Sequence, residues 1–162
     1  MKALISNQVH FGDRTARWTA VALIILALAS PALAALGGTL DSIQSAHVNV
    51  PVNVNQAGAY SVYEMQLPTG TALREYVSPA GRVFGVAWQG PFVPDLRLLL
   101  GSYFEQYSRL AKARRAMYVG RHPLDIREPG LVVQTAGHMR AYWGRAYDPG
   151  LLPPGVGADE IR

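Results

Sequence analysis

YSVYEMQLPTGTALREYVSPAGRVFGVAW, residues 60–88, decides the fold. Tyr60–Leu67 alternates, with Tyr63, Met65 and Leu67 on one face and Val62, Glu64 and Gln66 on the other. Pro68-Thr69-Gly70 is a turn. Thr71–Val77 alternates again, setting Leu73, Glu75 and Val77 against Ala72, Arg74 and Tyr76. Ser78-Pro79-Ala80-Gly81 follows, with proline presetting φ at the second position of a turn and glycine suiting the fourth. Arg82–Trp88 returns with Phe84, Val86 and Trp88 on one face. Period-two runs separated by turn chemistry predict a three-stranded antiparallel meander.

After the break at Gln89-Gly90-Pro91, the period changes to 3.6. A helix is expected from about Pro94 to Ala116, with proline in the first turn and Asp95 at the positive helix start. Leu96, Leu99, Leu100, Tyr103, Phe104, Tyr107, Leu110 and Ala111 form its apolar stripe. Arg97, Gly101, Glu105, Ser108 and Lys112 lie on the far side, and Glu105 can pair with Arg109. Lys112, Arg114 and Arg115 oppose the negative end of the helix dipole as a solvated helix end, and as a basic cluster they could also meet phosphates.

The flanking segments are weaker. Gly120–Gly130 reads as a loop. Leu131–Ala136 and His138–Tyr147 read as a second hairpin turning near Ala136-Gly137. Asp148–Arg162 has no period and reads as a solvated or polyproline-like, Pro/Gly-rich tail over 149–162. Ahead of the meander, Val48, Val50, Val52 and Val54 share one face of an extended arm, residues 35–58. Pro51 cannot donate to a ladder, so this arm is an edge strand or stays unpaired. The predicted fold is α+β: an antiparallel sheet of about five strands, in the order β-β-β-α-β-β, packed on one long amphipathic helix. Its domain spans residues 59–148, and its other sheet face is left open to solvent or a partner.

At the start of the chain the signal is of another kind. Lys2, Arg14 and Arg17 precede WTAVALIILALA, residues 18–29, and Ser30-Pro31-Ala32-Leu33-Ala34 follows. A positive region, an apolar run of about twelve residues and an A-x-A site form the layout of a secretory signal peptide over residues 1–34. The run is shorter than the roughly 20 residues of a spanning helix. The expected location is the periplasm or the extracellular space, with membrane contact only in transit. Cleavage after Ala34 leaves about 128 residues, close to the commonest domain size. It also lowers the net charge from +4 to about +2, which is no footprint for nucleic acid. The chain contains no cysteine, so disulfide scaffolds, thiol catalysis and thiolate metal sites are excluded.

The segment EYVSPAGRVFGVAWQGPFVPDLRLLLGSYF, Glu75–Phe104, together with the export signal and Leu36-Gly37-Gly38, resembles a family of small secreted proteobacterial proteins known only as domain of unknown function 2844. The resemblance implies a single exported domain. It supplies no catalytic residues.

Three histidines follow the signal, His47, His122 and His138, scattered over an arm, a loop and a turn without metal-ligand spacing. No metal or cofactor is expected. In the second hairpin, Met139, Ala141, Trp143 and Arg145 point one way, and His138, Arg140, Tyr142 and Gly144 the other. If the first set enters the core, Arg140, Tyr142 and His138 form an exposed stripe of types enriched in binding hot spots. Val48 and Val50 on the arm could add to a partner's sheet edge. The expected function is binding of a protein or an envelope polysaccharide. The alternative is a small envelope hydrolase using Glu64, Glu75 and Asp95 as paired carboxylates. Set against that, Glu64 and Glu75 also fit solvent-face residues pairing with Arg74 or Arg82.

Overall fold

The structure, a computed structural model, describes residues 36–39, 50–117 and 122–162. The expected signal peptide and Val48 lie outside the described residues. Seven strands form one antiparallel sheet: β1 (Val52–Gln56), β2 (Ser61–Gln66), β3 (Ala72–Val77), β4 (Val83–Gly90), β5 (Leu124–Glu128), β6 (Leu131–His138) and β7 (Ala141–Tyr147). Their spatial order is β1-β2-β3-β4-β7-β6-β5. A helical run between β4 and β5 comprises α1 (Leu96–Leu100), a 3₁₀ turn (Gly101–Tyr103) and α2 (Phe104–Met117).

The α+β class and the meander agree with the alternation in the sequence. Gly81 N–H donates to Ser78 O, and Gly70 N–H to Leu67 O, each at 2.9 Å. Both glycines take positive φ, as three-residue hairpin loops require. Two extra strands correct the expected five. The valine arm joins the sheet as edge strand β1, with Val52 opposite Met65 and Val54 opposite Tyr63. The expected loop at 120–130 contains β5, which alternates Leu124 and Ile126 against Asp125 and Arg127 and pairs with β6. Pro123 and Pro129 bracket this strand and hide it among turn residues.

The second hairpin also turns later than expected. His138 pairs with Ala141, so the turn is Met139-Arg140 and not Ala136-Gly137. Gly137 instead serves inside β6. Its φ is 129°, and a Cβ there would lie 2.3 Å from Ala141 O. Glycine therefore marks a close backbone approach within the strand pair.

The helix covers one sheet face, where Leu73, Val77, Val83, Val86, Trp88, Leu99, Leu100, Tyr107, Ile126, Leu131, Val133 and Ala146 are buried together. The predicted helix stripe is the buried one. Asp95 caps α1 by accepting from Arg97 N–H at 2.8 Å. Leu36 is buried in this layer, and its N–H donates to Leu99 O at 2.8 Å. One expected pair changes: the carboxylate of Glu105 meets Arg97, at 3.6 Å, in place of Arg109.

The second face is covered as well, contrary to expectation. The segment after β7 forms 3₁₀ turns at Pro149–Leu151 and Ala158–Glu160 and lies on the sheet. Its Ile161 is fully buried with Tyr60, Tyr76, Phe84, Ala87, Val132 and Tyr147. Arg145 Nη1 donates to Ala158 O at 2.7 Å and Ile161 O at 3.1 Å. Tyr76 Oη donates to Arg162 O at 2.7 Å, and Tyr60 Oη to Glu160 Oε2 at 2.8 Å. The tail lacks periodicity because it is held by side chains of the sheet, not by its own repeats.

Candidate functional site at the hairpin end of the sheet

Antiparallel topology brings the β2–β3 turn, the end of β4 and the β6–β7 turn to one end of the sheet. There β4 pairs with the start of β7, Gly90 opposite Tyr142 and Gln89 opposite Trp143. Beyond Gly90 the chain leaves the sheet through Pro91-Phe92-Val93. Its position is fixed by Thr71, which is fully buried and donates from Oγ1 to Phe92 O at 2.8 Å.

Four large apolar side chains are exposed at this end. Met139 is 75% exposed, Phe92 58%, Trp143 48% and Val93 47%. Between Met139 and the start of β7 stands Arg140, the one non-glycine among the described residues with positive φ, at 66°. Left-handed backbone at such a residue costs about 1–3 kcal/mol and is found preferentially at functional sites. His138 is exposed, with Nδ1 3.4 Å from Met139 O.

The predicted stripe is thus corrected in its faces. Gly144 and Ala146, in phase with Tyr142, enter the helix-covered core, where the Trp88 indole packs over Gly144. Tyr142 on that face is half-buried. Trp143 and Arg145 project to the opposite face, where Arg145 is engaged by the tail and Gln134 while Trp143 is left exposed. The exposed residues of the two sets are therefore His138, Met139, Arg140, Ala141 and Trp143, so His138 and Arg140 of the predicted stripe are exposed and Tyr142 is not. Alternation identified the two sets but not which one entered the core, because both sheet faces are covered. Phe92 and Val93 were missed, since no periodicity marks an exit loop.

The three carboxylates do not converge. Glu64 lies opposite Arg74 across the β2–β3 ladder and pairs with it at 2.9 Å. Glu75 is fully buried on the other face, between Tyr63 and Val86 in the ladder. Asp95 caps α1. The expected pairing of Glu64 with Arg74 is present, whereas Glu75 is no solvent-face residue. Val50 is half-buried and packs against the helix-side core, which withdraws it from an exposed arm. Among the described residues no three His, Cys, Asp or Glu side chains stand together as a metal site. The basic helix end borders an open hollow of about 310 Å³ lined by Phe104, Tyr107, Ser108, Ala111, Lys112 and Arg115. Burial pushes the Tyr107 hydroxyl pKa up, opposed by the Arg115 charge.

No curated protein and no solved structure matches the chain. A family model, in contrast, matches residues 32–161, which include both sheet faces, the helix and nearly all of the docked tail. The chain belongs to the family described as protein of unknown function DUF2844.

Proposed function

We propose that this protein is an exported, non-catalytic binding module that engages a protein or an envelope polysaccharide through the hairpin end of its sheet. The observation that carries this reading is the grouping of exposed Met139 and Trp143 around Arg140, whose backbone is held in a costly conformation. Tryptophan and arginine dominate binding hot spots, and methionine is enriched in interfaces. A flat indole also suits the apolar face of a sugar ring. Export is supported by the signal-peptide layout of residues 1–34. The family match begins at residue 32, after most of that segment.

Capture from an envelope fraction by the immobilised protein tests the surface. The double variant Arg140→Ala/Trp143→Ala is expected to keep its thermal midpoint and lose captured ligand by about tenfold or more. Unchanged capture removes this end of the sheet from the proposal. Treating the fraction with protease beforehand separates a protein ligand, which is lost, from a polysaccharide, which is kept. Intact mass tests export: the processed chain begins at Ala35, and recovery of only the unprocessed mass rejects it.

A further inference from the structure

The two edges of the sheet are built differently. Edge strand β5 reads Leu-Asp-Ile-Arg-Glu and carries Asp125, Arg127 and Glu128, with Arg127 Nε 3.0 Å from Asp125. Charges of this kind discourage a second strand from adding to an edge. Edge strand β1 reads Val-Asn-Val-Asn-Gln. All five residues are exposed, and none is charged, proline or glycine. Among the described residues no strand pairs with its outer edge, and by the same physical rule it is a template for pairing, since each outward N–H and C=O gains a partner when a strand is added.

We infer that β1 pairs with β1 of a second copy of this chain, joining two sheets across a two-fold axis at Val54. A two-fold interface must be self-complementary, and β1 is. With Val54 on the axis, Val54 faces its own counterpart, Asn53 faces Asn55, and Val52 faces Gln56. With the axis at Val54 all five residues of β1 find a partner within the strand, whereas an axis at Asn53 would leave Gln56 opposite Val50, outside it.

The faces agree with this arrangement. Val52 and Val54 lie opposite Met65 and Tyr63, so both valines project on the helix-covered side. Pairing two copies there extends one apolar layer across the axis. On the other side, Asn53 and Asn55 meet as carboxamides, each able to donate and accept. The neighbouring charge, Glu64, is already paired with Arg74, so no like-charge contact opposes association. This surface is separate from the hairpin end, and its test does not depend on ligand capture.

The absence of cysteine makes the test direct. Val54→Cys places one thiol per chain on the axis, with cross-strand Cβ atoms about 4.5–5.5 Å apart, within reach of a short thiol cross-linker. The full chain, expressed with its own processing, is expected to give a covalent dimer for Val54→Cys. The opposite-edge control Arg127→Cys is expected to stay monomeric. Light scattering is expected to report twice the chain mass for the unsubstituted protein. Asn53→Lys/Asn55→Lys is expected to halve that mass with an unchanged far-ultraviolet spectrum. A monomeric mass for the unsubstituted protein overturns the inference, as does cross-linking of Arg127→Cys equal to that of Val54→Cys.

Discussion

Ile161 occupies the space that Gly85 leaves open: a Cβ on Gly85 would stand 2.8 Å from Ile161 Cδ1. The relationship depends on the irregularity in β4, where Val77 pairs with Val83 and Tyr76 with Gly85. Phe84 is the extra residue and is buried beside Ile161 on the tail-covered face. A bulge thus supplies an aromatic wall and a glycine floor for one side chain of the tail.

Gly85→Ala is expected to destabilise the fold by about 1–3 kcal/mol through this overlap. Ile161→Ala is expected to cost about 2–5 kcal/mol, because a fully buried side chain is lost from a packed layer. Ile161→Val removes Cδ1, the nearest atom to the new methyl. The double variant Gly85→Ala/Ile161→Val should therefore be more stable than the sum of the single effects allows. Urea midpoints of the unsubstituted protein, Gly85→Ala, Ile161→Val and the double variant check this coupling, and strict additivity would show that the tail does not sit on Gly85.

Local chemistry made the meander and the helix legible. Alternation in Tyr60–Trp88, the turn residues and the Leu96–Ala111 stripe each specify an element without help from the rest of the chain. The second hairpin was legible only in phase. Its faces depend on what covers each side of the sheet, and that is decided by Ile161, far from β4 in sequence. Gly137 misled because glycine signals both turns and close backbone approach. The candidate site suffered most. Arg140 was identifiable from residue type, but Phe92 joins it only through the pairing of β4 with β7.

Alkaline pH should loosen the tail. Tyr60 has its hydroxyl pKa pushed up to about 12, first by its hydrogen bond to the Glu160 carboxylate and then by burial. Tyr103 is likewise raised to about 12, by burial and by its 2.6 Å hydrogen bond to Asp148. The ordinary value for both is 10.0. Below it, folded and unfolded chains both keep these protons, and the stabilisation is complete. As pH rises from about 10 toward 12, the unfolded chain sheds protons that the folded chain retains. Stability therefore falls across that window. Thermal midpoints measured along this range are expected to drop, and Tyr60→Phe should flatten the drop. Equal slopes in the two proteins would place the alkaline loss elsewhere.

Arg140 links stability to the proposed binding surface in opposite directions. Its backbone at φ 66° is one that glycine adopts without steric penalty. The turn is closed by the pairing of His138 with Ala141, and Arg140 is exposed. Arg140→Gly should therefore raise stability by about 0.5–1 kcal/mol, the relief of strain being partly offset by the greater entropy of glycine in the unfolded chain. If the arginine is kept for contact with a ligand, the same variant should lose capture while gaining stability, the trade expected where function holds a strained residue in place. Denaturant midpoints and ligand capture measured on the same preparation separate the two effects. A gain in stability with full capture would make Arg140 an incidental turn residue and leave Met139 and Trp143 to carry the contact.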